Sequence, residues 1–320
     1  MIIRPVAFES DKNEEIYQMN NLILFPVQLN GYMGFIDTQG EIRISPRFAE
    51  VGIFSEGMAA FETGGRWGYM NDVGNVIIDP QYTSAGLFVQ GIAPVRFLDK
   101  WGFINTFNDF IIDPDYDRIG AFSEGMIAVG RSGKFGFIDR KGRRVIALRF
   151  DDVGDFSEGL AAAEKHGSYG FIDQTGEFVI EPKYDDVRDF SEGFAAVSQN
   201  HRWGFINRQG ETVIPIKYTR AYDFAEGVAS IAIGDRYGYI DPKADFVIFP
   251  GYEYSWRFSE GLAVASLSGK CGYIDHTGAT VIDFNFSSAF DFHFGLARVV
   301  FDRYSGYIDR KGAYIWKPSR

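Results

Sequence analysis

The sequence predicts an all-β protein made of tandem 34-residue repeats, about nine in number, each folded as a three-stranded β-meander. Two residue series keep the same 34-residue interval: glycines at Gly34, Gly68, Gly102, Gly136, Gly170, Gly204, Gly238, Gly272 and Gly306, and phenylalanines at Phe54, Phe88, Phe122, Phe156, Phe190, Phe224, Phe258 and Phe292. Helical repeats can have a similar length. Here, however, the apolar segments are short, rich in β-branched and aromatic residues, and bounded by Gly, Asp or Asn, which indicates strands.

The first strand of each repeat is an aromatic-Gly-aromatic-Ile-Asp/Asn stretch, such as residues 101–105. An Asp or Asn ends it in every repeat, from Asp37 to Asp309, and Gly usually follows three residues later. Asp and Asn side chains bond to nearby backbone amides, and Gly readily takes a positive φ. The pattern therefore predicts a type I turn with a bulge, and hence a hairpin.

The second strand is the "VIIDP" stretch, and the third follows the phrase "FSEG". A proline at the end of the second strand cannot donate to a ladder, which predicts a sheet edge or an exit. About ten variable residues then cross to "FSEG". The third strand opens with a large apolar residue, followed by Ala in seven of eight copies, with Ile127 as the exception.

Alternation along these strands predicts a sheet that is apolar on both faces. Trp101 and Phe103 share one face, while Gly102 and Ile104 share the other. We expect the bulky face of one repeat to pack on the Gly and Ala face of the next. Such units stack either as an open superhelical solenoid or as a closed propeller-like ring. About nine repeats exceed the usual four to eight blades, which favours the solenoid and leaves the ring as the alternative.

The recurring phrases "WGFID", "GxxVIxPxYD" and "FSEGLA" resemble those of the bacterial WG (or KWG) repeat family. The resemblance covers roughly residues 22–318, which we interpret as a single continuous array, with residues 1–21 as an N-terminal extension or cap. It implies tandem β-rich repeats and no particular activity. The chain departs from the pattern at Met33, Cys271 and Ser305, which replace the aromatic residue before Gly, and at Asn108 and Ala244, which replace the turn glycine.

Composition narrows the classes of partner. The formal net charge of -11 and the pI near 4.9 argue against nucleic acid or anionic lipid, because both favour basic surfaces. The single cysteine cannot close an intramolecular disulfide, and the first twenty residues contain no apolar signal stretch. No apolar run of 18 residues follows. We therefore expect a cytoplasmic protein without a membrane span.

Residues that could carry chemistry are scattered. The four histidines occupy different repeat positions without ligand spacing, and Cys271 stands at a packing position. No phosphate-binding glycine motif lies between a strand and a helix. The sequence thus predicts no catalytic residue, metal ligand or cofactor, and a protein that is not an enzyme.

Two charged ladders run through the repeats: an acidic one in "SEG" at Glu56, Glu124, Glu158, Glu192, Glu226 and Glu260, and a basic one before the aromatic at Arg66, Lys100, Lys134, Arg202, Arg236 and Lys270. The basic ladder could follow a polyanion. We favour the structural alternative, in which the ladders neutralise one another or cap turn amides.

Function is expected where the copies differ, in the variable segments between "PxY" and "FSEG". The middle segments are acidic, with Asp151, Asp152, Asp155, Asp185, Asp186 and Asp189, and the later ones are aromatic, with Tyr222, Tyr254 and Trp256. The aspartates form either a solubilising surface or a docking surface. The aromatic residues are either packed into the framework or part of a docking surface. We predict a non-enzymatic binding scaffold for another protein, possibly a basic one. A carbohydrate- or envelope-binding module is the alternative.

Overall fold

The structure is a computed structural model that describes residues 22–317, so the predicted extension over residues 1–21 lies outside the described residues. Every regular element in the described part is a β-strand. The chain divides into two compact units: unit 1 runs up to Phe122 and includes Arg140–Arg143, and unit 2 comprises Ser123–Asp139 and the residues from Arg144 onward. Between residues 22 and 317 there is no helix of the length and apolarity needed to cross a membrane.

Unit 1 holds one three-stranded sheet, β1-β2-β3, and two four-stranded sheets, β4–β7 and β8–β11, and it ends within strand β12. Its strands are β1 (Phe25–Leu29), β2 (Tyr32–Ile36), β3 (Ile42–Phe48), β4 (Glu50–Val51), β5 (Met58–Thr63), β6 (Arg66–Asn71), β7 (Val76–Tyr82), β8 (Ser84–Ala85), β9 (Ile92–Phe97), β10 (Lys100–Asn105), β11 (Phe110–Tyr116) and β12 (Arg118–Ser123).

Unit 2 holds the antiparallel strands β13–β15 and five four-stranded sheets, in each of which the strands pair in chain order. Its strands are β13 (Met126–Arg131), β14 (Lys134–Asp139), β15 (Arg144–Phe150), β16 (Asp152–Ser157), β17 (Leu160–Lys165), β18 (Ser168–Ile172), β19 (Phe178–Tyr184), β20 (Asp186–Val187), β21 (Phe194–Gln199), β22 (Arg202–Asn207), β23 (Thr212–Tyr218), β24 (Arg220–Ala225), β25 (Val228–Ile233), β26 (Arg236–Ile240), β27 (Phe246–Tyr252), β28 (Tyr254–Ser259), β29 (Leu262–Leu267), β30 (Lys270–Ile274), β31 (Thr280–Phe286), β32 (Ser288–His293), β33 (Leu296–Phe301), β34 (Tyr304–Asp309) and β35 (Tyr314–Trp316).

The first sheet has the predicted three strands, whereas in the other sheets the variable segment contributes a fourth. In the β4–β7 sheet this leading strand pairs Val51 with Phe61 of the following strand. The two strands are joined at "SEG", where Glu56 and Gly57 have φ of 53° and 75°. Two successive positive φ angles make the type I′ turn that suits a tight hairpin. The strands β4, β8, β12, β16, β20, β24, β28 and β32 are hereafter the leading strands.

The structure confirms the predicted turn that follows the aromatic-Gly-aromatic strand of the repeat. At Asp173, one carboxylate oxygen accepts the amides of Thr175 and Glu177, and Gly176 has φ of 86°. The hydroxyl of Thr175 donates to the same oxygen, and this hydrogen bond is the largest of those that lower the pKa of Asp173. Asn108, which replaces the turn glycine in its repeat, takes the same backbone conformation, with φ of 69°.

The glycine of each "WG" has a different role from the one expected. A β-carbon at Gly68 would lie 2.3 Å from the carbonyl oxygen of Ile78 in the adjacent strand of its own sheet. That strand bulges towards the glycine, as the register shift between the Trp67–Tyr82 and Tyr69–Ile78 pairs records. The same approach, between 2.2 and 2.6 Å, recurs at seven other glycines: Gly34, Gly102, Gly136, Gly170, Gly204, Gly238 and Gly272. The bare glycine face is therefore covered within its own sheet, not by the next repeat.

Neighbouring sheets nevertheless pack bulky face to thin face, as predicted, with Ala and Ile supplying the thin one. In unit 2, Phe171 and Tyr184 of one sheet form a core cluster with Ala195 and Ile206 of the next. In unit 1, the corresponding cluster joins Tyr69 and other residues to Ala93 of the following sheet. Each cluster thus links two consecutive repeats, which explains why no single repeat buries its core alone.

The acidic ladder caps turn amides in the next repeat. The carboxylate of Glu158 accepts the amide of Gly193 at 3.0 Å, and the hydroxyl of Ser157 donates to the carbonyl of Phe190 at 2.6 Å. Equivalent hydrogen bonds from glycine amides are accepted by the carboxylates of Glu56, Glu124, Glu192, Glu226 and Glu260. The basic ladder does not pair with it; Lys134, for example, lies 2.5 Å from Asp151. This geometry favours the structural interpretation of the acidic ladder.

Candidate partner-binding surface

The variable segments become sheet edges in the structure, since each leading strand stands at one end of its sheet. One repeat position, within or directly after these strands, divides the repeats into two classes. It is glycine in four successive repeats, at Gly52, Gly86, Gly120 and Gly154, and a large side chain in the next four, at Arg188, Tyr222, Trp256 and Phe290. The large residues all belong to unit 2, so any site that they form is confined to that unit.

These side chains meet across consecutive sheets of unit 2. The guanidinium of Arg188 lies 4.5 Å from the ring centre of Tyr222, and the ring of Tyr222 lies 5.2 Å from that of Trp256 in an edge arrangement. Trp256 stacks on Tyr254 at 6.0 Å with an interplanar angle of 20°. Tyr237 completes the group, at 5.7 Å from Tyr254. We call Arg188, Tyr222, Tyr237, Tyr254 and Trp256 the aromatic array.

Hydrogen bonds hold the array in place. Arg188 donates from its Nε atom to the carbonyl of Ala221 at 3.0 Å, which fixes the guanidinium over the neighbouring ring. The hydroxyl of Tyr239 donates to the carbonyl of Trp256 at 2.6 Å and anchors the strand that carries this tryptophan. The rings of Tyr222, Tyr254 and Trp256 are half-buried. They are thus partly packed and partly accessible. The sequence left packing in the framework and exposure as a docking surface as alternatives, and the structure lies between the two.

Two phenols of the array, those of Tyr237 and Tyr254, have raised pKa values. Burial raises the pKa of Tyr254 most strongly, and the adjacent Tyr222 and Tyr237 raise it further. Burial is also the main cause of the raised pKa of Tyr237. Both side chains therefore stay neutral at physiological pH.

A carboxylate–guanidinium pair lies beside the array. Arg257, next to Trp256, donates from Nε to Oδ2 of Asp291 at 3.1 Å. The Asp291 side chain is 10% exposed, and its Oδ1 atom is buried without a hydrogen-bond partner. Asp291 is also close enough to contribute to the raised pKa of Tyr254. A negative charge thus accompanies the aromatic rings.

The predicted acidic residues have several separate environments. Asp151 accepts from Lys134 and from the amide of His166, and the Lys134 bond is the main cause of its lowered pKa. Asp185 accepts the amide of Asn200 at 2.6 Å, so both aspartates hold a hairpin of their own sheet.

The other four acidic residues, Asp152, Asp155, Asp186 and Asp189, lie half-buried on or beside leading strands. Asp152 accepts the hydroxyl of Tyr169 at 3.3 Å, and Asp186 accepts the amide of Val187. The structure therefore brings the predicted aromatic residues together, while the aspartates are distributed over two sheets. Their role in partner binding stays a prediction.

Two other reactive groups, Cys271 and His276, pack against neighbouring side chains. Cys271 is half-buried beside a core cluster, and burial raises the pKa of its thiol. His276 stacks on Phe258 at 3.9 Å and lies 3.4 Å from Glu226. Within residues 22–317, no three His, Cys, Asp or Glu side chains are grouped so that they could hold a metal ion.

Sequence reasoning missed Arg188, Phe290 and Asp291 as members of the candidate surface. The signal was available, because Arg188, Tyr222, Trp256 and Phe290 are separated by the repeat length of 34 residues. A charged residue such as Arg188 is typical of a solvated surface, however, and its stacking on Tyr222 depends on the apposition of two sheets.

Known structures are similar to this chain at low sequence identity. A structure described as the eukaryotic initiation factor matches with a TM-score of 0.66 at 11% identity, covering 92% of this chain and 95% of that one. Dihydro-heme d1 dehydrogenase NirN matches with a TM-score of 0.50 at 14% identity, covering 95% of this chain and 75% of that one. Hsv2p of Kluyveromyces lactis gives a TM-score of 0.47 at 10% identity, with coverages of 72% and 94%. A search of curated proteins gives no match.

The model of the WG containing repeat matches this chain eight times in succession. The matched residues are 33–67, 67–101, 101–135, 135–168, 169–201, 203–237, 237–271 and 272–303. These ranges follow the glycine series and the sheets, so the sequence resemblance and the fold agree. The chain belongs to the family of proteins built from WG-containing repeats.

Proposed function

We propose that the protein is a non-enzymatic scaffold that binds another protein through the aromatic array of unit 2. The observation that carries the proposal is the continuous contact from Arg188 through Tyr222 to Trp256 across three sheets. Aromatic residues and arginine are the residue types most enriched at the energetic centres of protein interfaces. The phenols of Tyr237 and Tyr254, with their raised pKa values, offer contact area and hydrogen bonds instead of acid–base chemistry at neutral pH.

The position of the array in the repeat supports the same function. A framework residue would be expected in every repeat, whereas this position is glycine in four repeats and large in four others. At Gly52 a β-carbon would lie 3.6 Å from the nearest atom, an ordinary contact, whereas at Gly86 and Gly154 it would lie 2.6 Å from Pro94 and 2.8 Å from Asp189. Local packing thus requires glycine in some repeats and not in others. The large side chains of unit 2 are therefore local additions to the common fold.

Replacing Trp256 is expected to abolish partner capture while the fold persists. Affinity capture from the native host, quantified by mass spectrometry, would compare wild type, Trp256→Ala and Phe249→Ala. Phe249 is a matched aromatic control because it is 76% exposed and belongs to β27, the strand at the opposite end of its sheet from a leading strand. Proteins retained by wild type and Phe249→Ala should be lost from a Trp256→Ala protein that still melts cooperatively. Capture of every partner by Trp256→Ala would contradict the proposal.

We also propose that the repeats close into a propeller-like ring and do not form the open solenoid favoured by the sequence. The fourth strand is the reason for this revision, because propeller blades are four-stranded antiparallel meanders. Small-angle X-ray scattering should give a radius of gyration of about 20 Å, as for a compact chain of this length. A linear stack of nine sheets about 10 Å apart would instead be about 90 Å long. A maximum particle dimension of about that length would rule out the ring.

A further inference from the structure

We propose that an open cavity between strand β31 and the last sheet of unit 2 binds a neutral sugar unit of a carbohydrate. The cavity has a volume of about 420 Å³, a size that is ordinary for a ligand site. Strand β31 lies at the opposite end of its sheet from the leading strand β28, so the cavity is separate from the aromatic array. The inference is independent of the proposed scaffold function and gives the carbohydrate alternative a specific site.

In other repeats a side chain crosses the equivalent groove and bonds to the turn of the next sheet. Arg149 donates from its guanidinium to the carbonyl of Gly176 at 2.6 Å, and Arg47 makes the equivalent bond in the first repeat. Where tyrosine occupies the following position, its hydroxyl can make the bond instead, as Tyr252 does to the carbonyl of Gly278 at 3.1 Å. The turn carbonyl is thus an acceptor that the chain itself satisfies in these repeats.

The groove that contains the cavity has neither bridge. Asn285 and Phe286 occupy the positions of the arginine and the tyrosine, and both line the cavity. The side chain of Asn285 makes no hydrogen bond within residues 22–317, and Phe286 has no hydroxyl. The carbonyl of Gly312, the equivalent of Gly176 and Gly278, therefore has no hydrogen-bond partner in the described part of the chain. The cavity lies where other repeats place a bridging side chain.

Two accessible rings and two opposite charges also line the cavity. The rings are those of Phe301, which is 48% exposed, and Tyr314, which is 38% exposed. The side chains of Asp283 and Lys311 are exposed, and neither makes an ion pair or a hydrogen bond with any residue between 22 and 317. The cavity therefore combines apolar ring faces with a free carboxylate acceptor and a free ammonium donor.

These groups select a neutral ligand that both donates and accepts hydrogen bonds. An anion would be repelled by the carboxylate of Asp283, and a cation would be repelled by the ammonium of Lys311. A sugar avoids both penalties, because each of its hydroxyls can donate and accept, and its ring has an apolar face that can pack on Phe301 or Tyr314. We expect one sugar hydroxyl to donate to the carbonyl of Gly312, as the tyrosine hydroxyl does in another repeat.

A glycan array probed with the whole protein tests the class of ligand. The array should carry neutral oligosaccharides of hexoses and N-acetylhexosamines, together with the uronic-acid and free-amine analogues of the same sugars. We expect at least one neutral glycan to bind and its charged analogues to bind more weakly, because each analogue places a charge near a like charge of the cavity. Failure of every neutral glycan to bind, or a preference for a charged analogue, would overturn the proposal.

Isothermal titration with the best neutral glycan then locates the site. Asn285→Arg introduces the bridge that Arg149 forms in its own repeat, so it should abolish binding in a protein that still melts cooperatively. Tyr314→Ala, which truncates an exposed ring, should weaken binding about tenfold. Phe249→Ala, the exposed aromatic control, should leave the affinity within about twofold. Undiminished binding by both Asn285→Arg and Tyr314→Ala would place the glycan elsewhere and contradict the proposed site.

The cavity and the scaffold function can fail separately, because Trp256 and the cavity lie at opposite ends of one sheet. Glycan binding that persists in Trp256→Ala, together with loss of the captured proteins, would support both sites. Loss of glycan binding in Trp256→Ala would instead place the sugar on the aromatic array and overturn the cavity. Glycan binding by a Trp256→Ala protein that still captures every partner would support the cavity and contradict only the scaffold function.

Discussion

Gly68→Ala is expected to lower the free energy of unfolding by about 3 kcal/mol or more, since it places a β-carbon against rigid backbone. That carbon would lie 2.3 Å from the carbonyl oxygen of Ile78 and 2.8 Å from the nitrogen of Pro80. Neither atom can rotate away as a side chain could, so the bulge of strand β7 would have to open. Urea unfolding, with hydrogen exchange of the β6 and β7 amides to localise the effect, is the measurement.

Gly52→Ala is the matched control in the same repeat. Its β-carbon would meet the β-carbon of Ala60 at 3.6 Å, an ordinary contact, and the residue does not have a positive φ. We expect a change within about 1 kcal/mol, of either sign, because alanine also restricts the unfolded chain. Equal losses at Gly68 and Gly52 would show that the close approach of the bulge does not determine the need for glycine.

The close approach at Gly68 also shows where sequence reasoning stops. The 34-residue period, the Asp-led turns and the alternation of buried faces each follow from local residue chemistry, and the structure confirms them. The atoms that a glycine contacts do not follow from local residue chemistry. In the sequence, Gly68 and Ala59 both suggest a thin face, but a bulge ten residues downstream covers the glycine, while the alanine packs on the preceding sheet.

The leading strands and the candidate surface could not be predicted from the sequence for the same reason, because both depend on contacts between distant segments. Glu50 and Val51 form a stretch too short to predict as a strand although valine favours strands, and they are extended because they pair with Glu62 and Phe61. Arg188 and Asp291 look like solvated charges until sheets meet beside them. The aromatic half of the surface was predictable, since Tyr254 and Trp256 are large aromatic residues in a segment that varies among the repeats.

Phe205→Ala should destabilise the protein far more than Trp203→Ala, although the tryptophan belongs to the phrase after which the repeat is named. Phe205 is fully buried and packs edge-to-face on Phe224 of the next sheet at 5.0 Å. Removing such a ring leaves a cavity and costs about 3 to 5 kcal/mol. Trp203, two residues earlier on the same face of strand β22, is only half-buried and has Arg188 over its ring.

Both substitutions remove an aromatic side chain from one strand, so their comparison isolates burial. Trp203→Ala should cost about half as much as Phe205→Ala or less, because its ring retains solvent on one side in the native state. Urea unfolding of the two variants under identical conditions gives the difference directly. Losses of the same size would mean that the half-buried tryptophan carries as much of the contact between sheets as the core phenylalanine. The variable leading strands, which Arg188 joins to Trp203, would then be part of the framework that the repeats share.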